Sequence, residues 1–120
     1  MESKKENILR DKSFAFAVRI INLYKYLTEQ KKEFILSKQL LRSGTSVGAN
    51  IREASSAESK ADFIHKLSIS QKEIDETLYW LELLRETSYL TETEFFSIYS
   101  EAEEIIKLLK RSILTAKSRR

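Results

Sequence analysis

The fold is decided by residues 43–84, SGTSVGANIREASSAESKADFIHKLSISQKEIDETLYWLELL, where a short polar segment joins two long helical patterns. This stretch contains both glycines of the chain, Gly44 and Gly48, and the chain has no proline. Glycine and proline punctuate strands and turns, so their scarcity predicts an all-helical protein with few, long elements. A length of 120 residues is most simply one domain, over residues 1–120.

Apolar residues recur at helical spacing in four segments of the chain. We predict helices over about residues 13–28, 33–55, 60–86 and 92–116. Asp11 or Ser13 would begin the first helix, Ser59 caps the third, and Thr91 with Glu94 forms a capping box for the fourth. Four such segments with short connections predict an antiparallel up-and-down four-helix bundle. The first helix has two apolar stripes, which exceeds what one core needs and predicts that the bundle also oligomerises.

Two small-scale patterns mark the second and third helices. Gly44 and Gly48 are four residues apart, which indicates either close helix packing or a local break in the helix. Polar residues also recur on one face of each helix. If the two faces meet, they form a hydrogen-bonded layer inside the bundle or line a central opening in an oligomer; otherwise both face solvent. These residues are Ser46, Asn50 and Glu53 on the second helix, and Ser70, Glu73 and Thr77 on the third.

Catalytic signatures are missing from the sequence. There is no cysteine and one histidine, His65, which stands three residues after Asp62. A dinuclear metal site in a helical bundle needs such a pair from each of two helices, so we expect no metal and place His65 at the surface or in an interface. No phosphate-binding glycine loop and no nucleophile turn occurs, and we expect a non-catalytic protein without cofactors.

The sequence also carries expectations about location. The lack of cysteine and of a basic leader followed by an apolar segment predicts a cytoplasmic protein. No apolar run approaches the roughly 20 residues that a membrane span requires, so we expect no membrane partner.

Charge is distributed unevenly along the chain. Residues 1–42 hold ten Lys and Arg against five Asp and Glu, residues 43–109 hold six against thirteen, and residues 110–120 hold five basic residues and no acid. This asymmetry indicates either a nucleic-acid surface or a solvated helical surface with a basic tail. No aromatic side chain is expected among the candidate cations, which predicts salt-sensitive binding to the phosphate backbone without base stacking. The candidates are Arg19, Lys25, Lys31, Lys32, Lys38, Arg42, Arg52, Lys107, Lys110 and Arg111.

Three segments carry a resemblance to a known family. RSGTSVGANIREA (residues 42–54), SKADFIHKLSISQKE (59–73) and ETLYWLELL (76–84) resemble the bacterial four-helix bundle family also called the 23S rRNA-intervening sequence protein or S23 ribosomal protein family. The likeness extends over about residues 8–115. Its members are similar to an accessory protein of diversity-generating retroelements, which forms a homopentamer of antiparallel four-helix bundles, binds nucleic acid and engages a reverse transcriptase. The resemblance therefore implies a pentamer, with Ser46, Asn50 and Glu53 as structural or pore-facing residues.

Two hypotheses for function follow. The first is a homopentameric helical bundle that binds RNA or DNA non-specifically through basic surfaces repeated on every subunit. The second is a protein-interaction scaffold whose basic residues contribute only solubility. Recovery of a protein partner after nuclease treatment distinguishes the second hypothesis from the first.

Overall fold

The computed structural model describes residues 4–119 and contains four long helices. They are α1 (Lys4–Glu29), α2 (Leu36–Ala54), α3 (Lys60–Glu86) and α4 (Glu92–Ser118). Within residues 4–119 no segment forms a strand, and the prediction of an all-helical chain is confirmed. The outermost residues of the predicted domain, 1–3 and 120, lie outside the described residues.

The first helix begins earlier than the sequence predicts. It is already formed at Lys4, whereas the pattern placed its start at Asp11 or Ser13. Ser13 is inside the helix, where its hydroxyl donates to the Arg10 carbonyl, 3.0 Å away, instead of capping a first turn. Leu9 is only 1% exposed and belongs to the core, so tertiary packing holds the additional turns in place.

The second helix begins later than predicted, because Glu33 acts as its cap and not as its first residue. The Glu33 carboxylate accepts hydrogen bonds from the amides of Ile35 (3.2 Å), Leu36 (3.0 Å) and Ser37 (2.7 Å). Burial raises the pKa of Glu33, but these backbone hydrogen bonds outweigh it and hold the pKa below its ordinary value. Helix α2 therefore starts at Leu36. In the connection before it, the backbone of Lys32 has a positive φ of 55°.

The remaining ends lie within two residues of the predicted positions. Helix α2 ends at Ala54, one residue before the predicted end, and α4 continues two residues beyond 116. The Ser59 hydroxyl accepts from the Asp62 amide (3.0 Å) and caps α3. Thr91 and Glu94 form a reciprocal capping box at the start of α4, with distances of 3.1 and 2.8 Å. Local side-chain chemistry therefore sets the starts of α3 and α4.

Each helix packs against two others in the cyclic order α1, α2, α3, α4, and the apolar core lies between them. Both glycines of α2 face α1, and α2 runs unbroken through them. A Cβ atom built at Gly44 would lie 2.8 Å from the Ile20 side chain, and one at Gly48 would lie 3.3 Å from the Ser13 carbonyl oxygen. The two glycines thus allow α1 and α2 to approach closely.

Side-chain contacts show which ends of the helices lie together. The Lys12 ammonium is 2.5 Å from Glu104, and Arg19 donates to the Ser97 hydroxyl at 2.6 Å, so later residues of α1 meet earlier residues of α4. The first turns of α1 and the last turns of α4 consequently lie at one end of the molecule, here called the terminal end. The α1–α2 connection, residues 30–35, lies at the opposite end, and the longest dimension of the molecule is 49 Å.

Candidate nucleic-acid interface

Two of the ten candidate cations are paired with carboxylates of the same chain. The Arg19 guanidinium is 3.1 Å from Glu101 and also contacts Ser97. The Arg42 guanidinium lies 3.1 Å from Glu73 and 2.5 Å from Glu76. Their charges are compensated within the subunit, so these two residues are poor candidates for phosphate contacts.

The Arg42 contacts are part of a network on the surface between α2 and α3. The Trp80 indole donates to the same Glu76 oxygen that Arg42 contacts, at 3.1 Å. The hydrogen bond from Trp80 and the pairing with Arg42 lower the pKa of Glu76 below its ordinary value. The hydrogen bond to Glu76 in turn raises the pKa of Arg42. Trp80 and Arg42 therefore act together to keep Glu76 ionised at this surface.

The terminal end gathers basic residues that are distant in sequence. Apart from the buried Leu109, residues 107–119 are exposed or partly exposed, and they contain five cations and no acid. Among the described residues, none of these five forms an ion pair. Arg52 of α2 also reaches this end, where its guanidinium lies 6.0 Å from the centre of the Phe14 ring. The five cations are Lys107, Lys110, Arg111, Lys117 and Arg119.

A second group of candidate cations surrounds the α1–α2 connection. It is accompanied by an exposed aromatic side chain that the sequence pattern did not predict. Lys25, Lys31, Lys32 and Lys38 are exposed and have no ion-pair partner within residues 4–119. Phe34 is 54% exposed in their midst, so the prediction that no aromatic side chain stands among the candidates is wrong. The run KKEFILSK, residues 31–38, does place an aromatic residue among lysines. However, the helix predicted to start at Glu33 included Phe34, so its exposure in a connection was not expected.

The polar stripe of α3 faces α2. Ser70 and Thr77 are fully buried. The Ser70 hydroxyl donates to the Val47 carbonyl at 2.8 Å, and the Thr77 hydroxyl lies 2.9 Å from that of Ser43. A polar layer therefore exists between α2 and α3, but its α2 members are Ser43 and a backbone carbonyl, which the stripe analysis did not select. Glu73, the third member of the stripe, is at the edge of the interface.

The polar stripe of α2 does not meet that of α3. The Ser46 hydroxyl donates to the Arg42 carbonyl (2.7 Å), and the Asn50 amide donates to the Ser46 carbonyl (2.9 Å), both within α2. Glu53 is exposed and pairs with Lys66 of α3 at 3.0 Å. These three side chains lie at or near the subunit surface, and their pore-facing role stays a prediction.

The outward face of α1 is unusually apolar. Phe14, Val18 and Ile21, at helical spacing on one face, are all exposed large apolar side chains. Beside them, a groove of about 390 Å³ runs between α1 and α2, with Gly48 and Ala49 among its lining residues. A contiguous exposed apolar face of this kind marks a surface that associates with another molecule.

The described part of the chain holds neither a candidate metal site nor a helix that could span a membrane. No group of three or more His, Asp or Glu side chains among those described is placed to hold a metal ion, and His65 is exposed. None of the helices described here combines the length and the apolar character needed to cross a membrane.

Comparisons with known proteins identify the family. Residues 5–111 match the family described as the 23S rRNA-intervening sequence protein, and the chain belongs to that family, as its three segments predicted. A solved structure with the same fold is a protein of unknown function from the S23 ribosomal protein family of Bacteroides thetaiotaomicron VPI-5482. It is 59% identical, the TM-score is 0.90, and the alignment covers 91% of this chain and 97% of that chain. No curated protein matches the chain significantly.

Proposed function

We propose that this member of the 23S rRNA-intervening sequence protein family is a non-catalytic, oligomeric, antiparallel up-and-down four-helix bundle that binds RNA or DNA. The observation that carries the proposal is the terminal end, where Lys107, Lys110 and Arg111 are exposed and pair with no carboxylate among the described side chains. Cations that no protein carboxylate neutralises attract the phosphate backbone and release its condensed counterions on binding. The expected partner is therefore a nucleic-acid backbone, with little preference for sequence.

The ion pairs divide the candidate residues into two roles. Arg19 and Arg42 are bound to carboxylates of the same chain, so we assign them to holding the helices together. Among the side chains that the structure describes, Lys107, Lys110 and Arg111 have no such partners, and we assign them to phosphate contact. A contact surface repeated in several subunits would raise the overall affinity without any new contact in one subunit.

The test compares two lysine substitutions that change the net charge by the same amount. Lys110→Glu alters the terminal end, and Lys72→Glu alters an exposed position on α3. We expect Lys110→Glu to weaken binding to labelled RNA and duplex DNA by about tenfold, because one phosphate contact is lost and a repulsive charge is added. Lys72→Glu should change the affinity much less. Equal losses in the two variants would show that net charge, and not the terminal end, governs binding.

The exposed face of α1 supports self-association as part of the same proposal. Phe14, Val18 and Ile21 form an apolar surface that a second subunit would cover. The family resemblance implies five subunits, which light scattering on the purified protein measures directly. We expect Val18→Asp to reduce the oligomer size, because it places a charge in the covered surface, and Ser100→Asp, at an exposed position on α4, to leave it unchanged.

The same apolar face favours a second candidate function, that of a protein-interaction scaffold. In that case a partner protein, and not a second copy, covers Phe14 and Val18. A pull-down in the presence of nuclease separates the two. A monomeric chain that retains one protein partner, and loses it in the Val18→Asp variant, would support the scaffold and contradict self-association through α1.

A further inference from the structure

The α1–α2 connection holds two large apolar side chains in solvent on a fixed backbone. Phe34 is 54% exposed and Ile35 is 75% exposed, although they adjoin the buried Glu33. The Glu33 amide donates to the Leu27 carbonyl at 2.9 Å, and its carboxylate accepts three amides at the start of α2. The segment is thus anchored on both sides of the exposed pair. The fold therefore holds Phe34 in solvent, and its exposure does not result from fraying of a helix end.

Lysines flank these side chains in the sequence. Lys31 and Lys32 precede Glu33, Lys38 lies in the first turn of α2, and Lys25 lies in the last turns of α1. Within the described stretch 25–38, the one acid on the surface is Glu29, because the Glu33 carboxylate is turned toward backbone amides. Lys31 also lies 5.8 Å from the Tyr26 ring. An exposed aromatic ring among four lysines is the combination with which proteins bind unpaired nucleotides.

We infer that the α1–α2 connection is a binding site for single-stranded nucleic acid. An unpaired base stacks on the Phe34 ring, and the phosphates on either side of it contact Lys31, Lys32 and Lys38. The amides at the start of α2 are already used by Glu33, so the phosphates depend on the lysine side chains. This inference rests on the proposed function and adds to it a second surface, opposite the terminal end, that distinguishes single strands from duplexes.

A single strand fits this surface better than other occupants. Stacking needs one accessible aromatic face, which Phe34 offers, and a duplex keeps the faces of its internal bases covered. A lipid surface with anionic headgroups would also attract the lysines, but two apolar side chains provide little area for insertion into a bilayer. An acidic protein segment needs an apolar groove for its own side chains. Phe34 and Ile35 instead project from the chain.

The experiment measures two affinities for each variant of the full chain. The probes are a labelled 12-nucleotide single strand of mixed sequence and the duplex of the same sequence. We expect Phe34→Ala to weaken single-strand binding by about tenfold, as the loss of one stacked base predicts, and to change duplex binding by less than about twofold. Phe34→Tyr should restore single-strand binding, because it keeps the ring.

A matched control is available on α4. Phe96 is 55% exposed, but it lies in an acidic stretch after Glu92 and Glu94, near Arg85. Phe96→Ala should leave both affinities unchanged. Ultraviolet crosslinking of the wild-type complex with the single strand, followed by trypsin digestion and mass spectrometry, should place the crosslink in the peptide EFILSK, residues 33–38.

The other outcomes separate this inference from the proposed function. Salt-sensitive binding of both probes with no selective effect of Phe34→Ala would overturn the stacking site and leave the proposed function intact. No binding of either probe would overturn both. Phe34-dependent binding to phosphatidylserine vesicles, without any preference for the single strand, would assign the surface to lipid. Unchanged duplex binding in Lys110→Glu, with Phe34-dependent binding of the single strand retained, would support this site and contradict the terminal end.

Discussion

The α2–α3 and α1–α4 interfaces both carry surface ion pairs, but they differ in what lies beneath and beside them. Between α2 and α3, Ser43, Ser70 and Thr77 are fully buried and hydrogen-bonded across the two helices. Between α1 and α4, ion pairs such as Lys12 with Glu104 lie at the surface, beside grooves of about 270 and 160 Å³. Small buried side chains permit close packing, whereas long charged side chains span a wider gap. We therefore expect the stability of the bundle to be concentrated at α2.

The largest expected effect comes from filling the α2–α3 interface. Ser70→Leu should lower the free energy of unfolding by about 3 kcal/mol, because the larger side chain overpacks a fully buried position and the hydrogen bond to Val47 is lost. Ser100→Leu on the exposed side of α4 is the matched control and should change stability by less than about 0.5 kcal/mol. Urea unfolding measures both. Similar losses at the two positions would contradict the difference between the interfaces.

The next largest effect on stability is expected at the start of α2. Glu33→Gln should destabilise the protein by about 2 kcal/mol, because the three amides at the start of α2 lose a charged acceptor in a buried position. Glu29→Gln, an exposed carboxylate on the neighbouring helix, should have almost no effect. Equal free energies of unfolding for Glu33→Gln and the wild type would show that the negative charge of Glu33 does not stabilise the start of α2.

The same residue predicts a pH dependence of defined sign. The pKa of Glu33 in the folded chain lies below its ordinary value of 4.5, so the ionised form stabilises the fold. Its contribution is complete above that ordinary value and is lost as the pH falls through the folded-state pKa. Thermal unfolding between about pH 6 and 3 should therefore show a smaller acid loss for Glu33→Gln than for the wild type. The same decrease of Tm with falling pH in both proteins would contradict this prediction.

A smaller effect is expected from the hydroxyl pair inside the α2–α3 interface. Thr77→Val keeps the shape of the side chain but removes its hydroxyl, which should cost about 1 kcal/mol because the buried Ser43 hydroxyl loses a partner. The double variant Ser43→Ala with Thr77→Val should recover part of this loss, since no buried hydroxyl is left without its partner. Strictly additive losses in urea unfolding would show that the two hydroxyls are not coupled.

The smallest effect is expected at the α1–α4 interface. Glu104→Ala removes the ion pair with Lys12, in which both side chains are substantially exposed, and should change the free energy of unfolding by less than about 0.5 kcal/mol. A loss comparable to that of Thr77→Val would mean that surface ion pairs hold α1 and α4 together more strongly than solvent screening allows.

Part of this structure could be predicted from residues that act locally. Helical periodicity located the four helices, and the Ser59 cap and the Thr91 capping box placed the starts of α3 and α4. Glu33 was missed because its carboxylate reaches forward to the amides of α2, an arrangement that differs from the usual Ser, Thr, Asp or Asn cap. The start of α1 was misplaced because Leu9 is held by the core and not by a local signal.

The candidate site could be predicted less well, because it depends on which helices are neighbours. A helical pattern assigns residues to faces, but it does not show that Arg42 meets Glu73 and Glu76 of another helix. The partner of Thr77 was misplaced for the same reason: Ser43 occupies the face toward α3, and Ser46 does not. The exposure of Phe34 could be recognised only after the Glu33 cap had been located.

The most direct test of the proposed function is the salt dependence of nucleic-acid binding by the wild-type protein. Fluorescence anisotropy with a labelled RNA and a labelled duplex DNA gives the Kd at salt concentrations between about 50 and 200 mM. If exposed cations of the terminal end contact phosphates, the affinity should fall by at least about tenfold over this range, with similar slopes for unrelated sequences. Absence of binding at the lowest salt concentration, or binding that is insensitive to salt, would contradict the account.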